Sequence, residues 1–273
     1  GKTWGGQLML TTDVENFPGF AEGIQGPELM MNMRRQAERF GVTFVDADMD
    51  PVDFTNAKSP FSVTADGKSY SGKSILIATG ENSKTLGVPG EKELTGRGIS
   101  YCATCDGAFF RNKKVIVVGG GDSAMEEANF LTNFAEVTLV HRRDSFRASQ
   151  IMIDRVKKNP KITLLLNSQI TEVLGENKVE KVKIENTQTK EISEMPIDGI
   201  FVAIGHVPNS SVFKGITLSD KGYVHATGRV KTNIEGVFVS GDVQDDKYRQ
   251  AVTAAGFGCM SALEIQWWLM EQG

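Results

Sequence analysis

The sequence predicts an α/β chain of two doubly wound domains, one inserted into a discontinuous other. Three observations carry that expectation. A short apolar strand, Val115-Ile-Val-Val118, runs into the glycine turn Gly119-Gly-Gly-Asp-Ser-Ala124 and then a stretch rich in Ala, Met, Glu and Leu. One strand ending occurs twice, as Ile75-Leu-Ile-Ala-Thr-Gly80 followed by Val88-Pro89, and as Ile200-Phe-Val-Ala-Ile-Gly205 followed by Val207-Pro208. A third strand of this kind, Gly236-Val-Phe-Val-Ser-Gly-Asp242, has no βαβ partner nearby.

Taken in order, the first domain supplies the strand ending at Gly80. In the second copy the glycine turn at Gly119 lies a full domain-length before Gly205; the same distance counted back from Gly80 falls ahead of residue 1. An opening strand, glycine turn and helix of the first domain is therefore expected to be absent from this chain. The middle of the chain continues from the turn through a helix into Glu136-Val-Thr-Leu-Val140, which closes a βαβ unit of the length a parallel sheet requires. The strand at Gly236, followed by a helical stretch from Gln250 to about Ile265, returns most simply to the first domain. Gly87-Val-Pro-Gly90 and Val207-Pro-Asn209 then serve as linkers. The predicted boundaries are 1–84 and 209–273 for the discontinuous domain and 85–208 for the inserted one, both Rossmann-like and dinucleotide-binding.

Composition narrows the function classes. A chain of 273 residues accommodates two domains of roughly 100 to 150 residues. The formal charge is −4, with Lys and Arg scattered among Asp and Glu, so no broad basic stripe tracks a phosphate backbone and nucleic acid is not expected as a partner. No apolar run approaches the roughly 18 residues of a membrane span, and the opening Gly1-Lys2-Thr3-Trp4 lacks a signal-peptide pattern, which together predict a cytoplasmic protein with no membrane partner. Three cysteines, Cys102, Cys105 and Cys259, are too few for a secreted disulfide framework. Cys259 is expected to be a buried small apolar residue. Met30, Met31, Met33, Phe17, Phe20 and Trp267-Trp268 are read as core or interface packing and carry no chemistry.

The turn Gly119-x-Gly121-x-x-Ala124, flanked by strand and helix, lets backbone approach a pyrophosphate at a helix N-terminus. Asp122 and Ser123 lie within it. An NAD site normally presents an acidic residue about 20 residues on; this chain has His141-Arg142-Arg143 there, with Arg147 close behind. Planar guanidiniums bind a phosphate through paired hydrogen bonds, which favours NADPH. The alternative is a solvated basic face.

Cys102-Ala-Thr-Cys105 places two thiols at i and i+3, near enough on a first helical turn to close a disulfide. Zinc would need two further ligands, and His141, His206, His225 and Cys259 are scattered, so no metal site is expected. A purely structural pair is the other alternative to reversible thiol exchange. Asp106 follows at once and is a candidate acid for a leaving thiolate, or a solvated helix-start aspartate. Asp242, after Gly241 at a strand's end, is placed to hold a polyol hydroxyl, or forms a plain turn.

With these pieces located, Gly5-Gly-Gln-Leu8, Glu15-Asn-Phe-Pro-Gly19, Ala78-Thr-Gly80, Cys102-Ala-Thr-Cys-Asp106, Gly119-Gly-Gly-Asp-Ser-Ala124, His141-Arg-Arg143, Gly241-Asp242 and Tyr248-Arg-Gln-Ala251 together resemble the low-molecular-weight thioredoxin reductases of bacteria and plants. The match runs the length of the chain in order. The resemblance implies an NADPH-dependent flavoprotein passing electrons through FAD and the Cys102/Cys105 disulfide to thioredoxin, and a homodimer. It assigns Gln7, Asn16, Thr79, Gly80, Gly241, Asp242, Arg249, Gln250 and Ala251 to the surroundings of FAD, with Asp242 on the ribityl chain. It assigns Gly119, Gly121, Asp122, Ser123, His141, Arg142, Arg143 and Arg147 to NADPH. Cys105 would be the thiol nearer the flavin, Cys102 the one that attacks thioredoxin, and Asp106 the proton donor. Because NADPH and the cysteine pair ride on the same inserted domain, rotation of that domain about its linkers is expected between half-reactions. Rival readings are a peroxide reductase flavoprotein subunit, against which Ala103-Thr104 argues, a dithiol oxidase, and a non-catalytic NADPH-binding module.

Overall fold

The structure is a computed structural model that describes residues 4–11 and 13–273; the opening Gly1-Lys2-Thr3 and Thr12 lie outside the described residues. The chain forms two compact units, Gly1–Asn82 with His206–Gly273, and Ser83–Gly205.

In the unit Ser83–Gly205 five parallel strands lie side by side in the order Ile162–Leu165, Glu136–Val140, Lys114–Gly119, Gly199–Ala203, Ile99–Ser100. The glycine-turn strand is central because its residues are apolar on both faces, as a doubly covered parallel strand must be. Side chains alternate across the sheet. Val115, Val117, Val137, Leu139 and Phe201 pack with Ala124, Met125, Ala128 and Leu131 of the helix Asp122–Leu131. Ile116, Val140, Ile200 and Val202 face the other way and pack with Ile170, Val173, Val182 and Ile184. Those last residues belong to a three-stranded antiparallel sheet, Ser168–Leu174, Lys181–Asn186 and Ile192–Pro196, which stands where a second helix layer would in a symmetric doubly wound fold. The chain leaves the central strand on one side to make Glu136–Val140 and Ile162–Leu165, and returns on the other as Gly199–Ala203. That reversal makes the carboxyl ends of Lys114–Gly119 and Gly199–Ala203 the switch point of the sheet, the place where open α/β sheets bind ligands.

The other unit is built from segments far apart in sequence. Val237–Val239 pairs in parallel with Ile75–Ile77, so the third strand of the sequence joins the first repeated one. Phe213–Lys214 pairs with Val52–Asp53, and an antiparallel hairpin, Phe61–Ala65 with Lys68–Gly72, turns at Asp66-Gly67, both in the left-handed region that a tight hairpin needs. Phe54, Phe61, Ile77, Phe213, Val237 and Val239 form its core. Helix Gly26–Arg39 starts with Pro27 in its first turn, where a missing N–H costs nothing.

The C-terminal helix Ala251–Glu271 is longer than the predicted stretch and is held by Ser261, whose hydroxyl donates to the Val239 carbonyl at 3.1 Å, and by Trp268 against Phe238. Ser261 is its one fully buried described residue, and Trp267 and Met270 are exposed. Cys259, expected to be buried, is exposed. It occupies a helix whose small residues give no amphipathic signal from which an inward face could be read. Among the described residues no helix is long and apolar enough to cross a membrane, and no group of His, Cys, Asp and Glu is arranged to hold a metal ion.

Candidate functional site

The glycine turn takes its shape from close packing. A Cβ on Gly119 would lie 2.5 Å from the Ala203 carbonyl oxygen and 2.6 Å from the Ala124 Cβ, so glycine here lets the neighbouring strand and helix touch. A Cβ on Gly120 would meet the His141 ring at 2.2 Å. Gly121 differs: a Cβ there would find nothing within 4 Å, and its φ is −101°, an ordinary value. It caps the helix Asp122–Leu131, which has no side-chain N-cap hydrogen bond, so the backbone N–H groups of its first turn are left for a ligand.

The predicted partners gather about this turn. His141 is buried, its Nε2 lying 3.1 Å from the Ser145 carbonyl oxygen, and burial holds its pKa below the usual value, with backbone bonds to Ser145 and Gly119 opposing. The Arg147 N–H donates to the Gly120 carbonyl at 2.8 Å. Asp122 Oδ1 accepts from the Ser149 N–H at 2.9 Å and hydroxyl at 2.7 Å, which fastens the loop to the turn. Ser123 is exposed on the helix's first turn. Arg142, Arg143 and Arg147 are exposed, and among the described residues their guanidiniums form no ion pair or hydrogen bond. Cations near an open helix start are an arrangement that favours an anion.

On the edge strand of the same sheet, Ile99–Ser100 leads into the turn Ala103–Asp106, capped by Cys102. Cys102 and Cys105 form a disulfide with Cα atoms 5.3 Å apart. Asp106 is half-buried; its Oδ2 accepts from the Ser100 hydroxyl at 2.6 Å, and its Oδ1 has no hydrogen-bond partner among the described residues. Burial raises the Asp106 pKa, and the Ser100 bond opposes that rise.

In the unit formed by Gly1–Asn82 and His206–Gly273, the remaining predicted residues come from distant segments. Gln7 Nε2 donates to the Glu81 carbonyl at 2.8 Å, and Asn16 Nδ2 donates to Gln250 Oε1 at 2.9 Å. Thr79 and Gly80 hydrogen-bond with Asn209, the Thr79 hydroxyl donating to its carbonyl at 2.7 Å. Gly241 and Asp242 form the short turn after Val237–Val239. Asp245 accepts the N–H groups of Lys247, Tyr248 and Arg249, shaping the approach to the C-terminal helix; Gln250 caps that helix and Ala251 begins it. Asp242 is raised to about 6, first by burial and then by the Asp245 charge, with Arg249 opposing, and its Oδ1 is buried without a hydrogen-bond partner among the described residues.

Sequence reasoning missed a carboxylate at the centre of this group. Glu81 is buried, accepts from the Tyr223 hydroxyl at 2.7 Å, and lies 3.5 Å from Arg249 Nε and 3.8 Å from His206 Nε2. Its pKa is pushed up to about 7, chiefly by burial. Nothing local in Gly80-Glu81-Asn82 separates it from a solvated turn residue. Ser100 was missed for the same reason, although its place two residues before Cys102 is a weak pointer.

The family described as pyridine nucleotide-disulphide oxidoreductase matches residues 1–258. A thioredoxin reductase of Mycolicibacterium smegmatis is 51% identical, the alignment spanning 100% of this chain and 88% of that protein. One from Rickettsia felis is 52% identical over 96% of this chain and 86% of its own length. Among solved structures, a thioredoxin reductase of Streptococcus pyogenes superposes with a TM-score of 0.91 at 39% identity, covering 97% of this chain and 87% of that one. A thioredoxin reductase from Giardia duodenalis gives 0.89 at 38% identity, with the same coverage of both chains.

Proposed function

The chain belongs to the pyridine nucleotide-disulphide oxidoreductase family, and from that premise we propose that it is an NADPH-dependent thioredoxin reductase, carrying electrons through a flavin and the Cys102/Cys105 pair to the disulfide of thioredoxin. The observation that carries this reading is the Cys102–Cys105 disulfide with Asp106 on the same turn, within the unit that also holds the glycine turn and the exposed Arg142, Arg143 and Arg147. A nicotinamide and a flavin supply the hydride and two-electron chemistry. The protein supplies binding, position and protons.

Gly119, Gly121, Asp122, Ser123 and His141 shape the NADPH cradle, and Arg142, Arg143 and Arg147 hold the 2′-phosphate that distinguishes NADPH from NADH. Inserted residues 85–208 thus form the NADPH domain. Residues 1–84 and 209–273 form the FAD domain, with Gln7, Asn16, Thr79, Gly80, Gly241, Asp242, Arg249, Gln250 and Ala251 about the cofactor. The fit of FAD to this set is supported by Asp242 Oδ1, a buried acceptor that lacks a donor among the described residues, since a ribityl hydroxyl would provide one. In the thiol exchange, the Cys102 thiolate attacks the thioredoxin disulfide, Cys105 resolves the mixed disulfide by attacking Cys102, and two thiols leave on thioredoxin. Asp106 donates a proton to a leaving thiolate and becomes a carboxylate. Handling nucleotide and thioredoxin in turn calls for movement of the inserted domain about its two linkers. A homodimer is supported by the exposed Trp267 and Met270 on the C-terminal helix, and the sedimentation mass of the purified chain tests it. The cytoplasm, whose thiols are kept reduced, is the matching compartment.

The test is the visible absorption spectrum of the purified chain with FAD under anaerobic conditions, before and after NADPH or NADH, followed by oxidised thioredoxin. Bleaching by NADPH in preference to NADH, and recovery on adding thioredoxin, is the expected result. A flavin band that neither nucleotide bleaches overturns the proposal.

A further inference from the structure

Ser100 is buried on the strand that leads into the redox turn and makes contacts to both ends of it. Its Oγ lies 2.6 Å from Asp106 Oδ2, 3.1 Å from the Cys102 backbone nitrogen and 3.3 Å from the Cys102 carbonyl oxygen. A hydroxyl has one proton to give. The shortest contact is to the Asp106 carboxyl, so the proton goes to Asp106 while the oxygen accepts the Cys102 N–H. The same atom therefore ties the carboxylate to the backbone of the attacking cysteine.

We infer that Ser100 is a positioning residue for thiol exchange: it holds the Asp106 carboxylate in register with Cys102 and stabilises the charged form that Asp106 reaches when it gives up its proton. The inference rests on the role proposed above for Asp106. Ser100 donates the one hydrogen bond the Asp106 carboxylate accepts among the described residues; Oδ1 is buried without a partner, so loss of the Ser100 hydroxyl strips the group completely. The other groups near this turn do not take over. The packed helix Asp122–Leu131 carries Asp122, Glu126 and Glu127, and Arg111 follows the turn Gly107–Phe110, yet the shift at Asp106 comes from burial and from Ser100, with no charged contributor.

The test compares the parent chain with Ser100→Ala and Ser100→Thr, each also in an Asp106→Asn background. Two readouts are taken: the Asp106 carboxyl titration by carbon-detected NMR, and the pH profile of oxidised-thioredoxin reduction by chemically pre-reduced protein. Ser100→Ala moves the Asp106 midpoint further up and slows exchange by about tenfold, Ser100→Thr restores both, and in the Asp106→Asn background the alanine change alters the rate by less than about twofold. An unmoved Asp106 midpoint in Ser100→Ala, or an equal slowing in the Asp106→Asn background, overturns the inference. If the pre-reduced parent reduces no thioredoxin, the functional proposal fails, while the Asp106 titration still decides whether Ser100 governs that carboxyl.

Discussion

Two glycines of one turn are expected to fail in opposite ways when each is given a methyl group. At Gly119 the added Cβ would sit 2.5 Å from the Ala203 carbonyl and 2.6 Å from the Ala124 Cβ, and both obstacles are fixed to a central strand and a packed helix rather than to the end of a flexible side chain. Overpacking of this kind costs about 1–3 kcal/mol. For a chain of this length, 2 kcal/mol is a drop of roughly 5 °C in the unfolding midpoint. At Gly121 the Cβ meets nothing, and the backbone already has a φ open to alanine. Gly121→Ala should leave stability within about 0.5 kcal/mol, or raise it slightly by restricting the unfolded chain. Its methyl projects into the space the proposed nucleotide needs, so a tenfold loss of NADPH affinity, about 1.4 kcal/mol, is the expected penalty. Thermal unfolding with and without NADPH separates the two. At a hundredfold excess over the parent Kd, nucleotide adds about 2.7 kcal/mol to the parent and about 1.4 kcal/mol to Gly121→Ala. If Gly121→Ala lowers the nucleotide-free midpoint as far as Gly119→Ala does, or keeps the whole NADPH shift, the reasoning about this turn is wrong.

Flavin affinity should depend on pH through Asp242. Its pKa is raised from 3.8 to about 6, and a ligand hydroxyl donates to the ionised form, so affinity rises roughly tenfold per unit up to about pH 6 and then levels. The flavin-free protein follows the opposite trend. Its folded state keeps a proton that the unfolded chain loses, so this group's contribution to stability declines as pH rises from 3.8 through about 6. Flavin fluorescence titrations between pH 5 and 8 check the first trend, and an affinity that is flat across that range refutes it. Arg142→Gln and Arg143→Gln should each raise the KM for NADPH by about tenfold, through a lost charge-assisted bond, and leave the KM for NADH unchanged. Equal effects on both nucleotides would show that the arginines act on something other than the 2′-phosphate.

The sequence by itself determined what depends on neighbouring residues. The strand, glycine turn and helix of residues 114–131 were legible because their periodicity, glycine spacing and helix start lie within one short window. The cysteine pair was legible because i, i+3 spacing fixes the geometry of a turn, and the position of the arginines, just after the second strand, could be read directly from the sequence. The return of the strand at Gly236 to the first domain was expected from its lack of a nearby partner strand, while its pairing with Ile75–Ile77 came from the structure.

Tertiary structure alone decided which polar groups are buried and with whom. Glu81 owes its raised pKa to burial in a setting shared with Tyr223 and Arg249, one 142 residues away and the other further still, and no local pattern encodes that meeting. Asp242 carries a buried oxygen with no hydrogen-bond partner among the described residues, on a short turn against which the C-terminal helix packs. The antiparallel sheet that covers one face of the inserted unit, and the exposure of Cys259, likewise followed from packing between elements. Local propensity and spacing act over a few residues, whereas desolvation of a charge is set by every segment that comes to surround it, and that sum exists only in the folded chain.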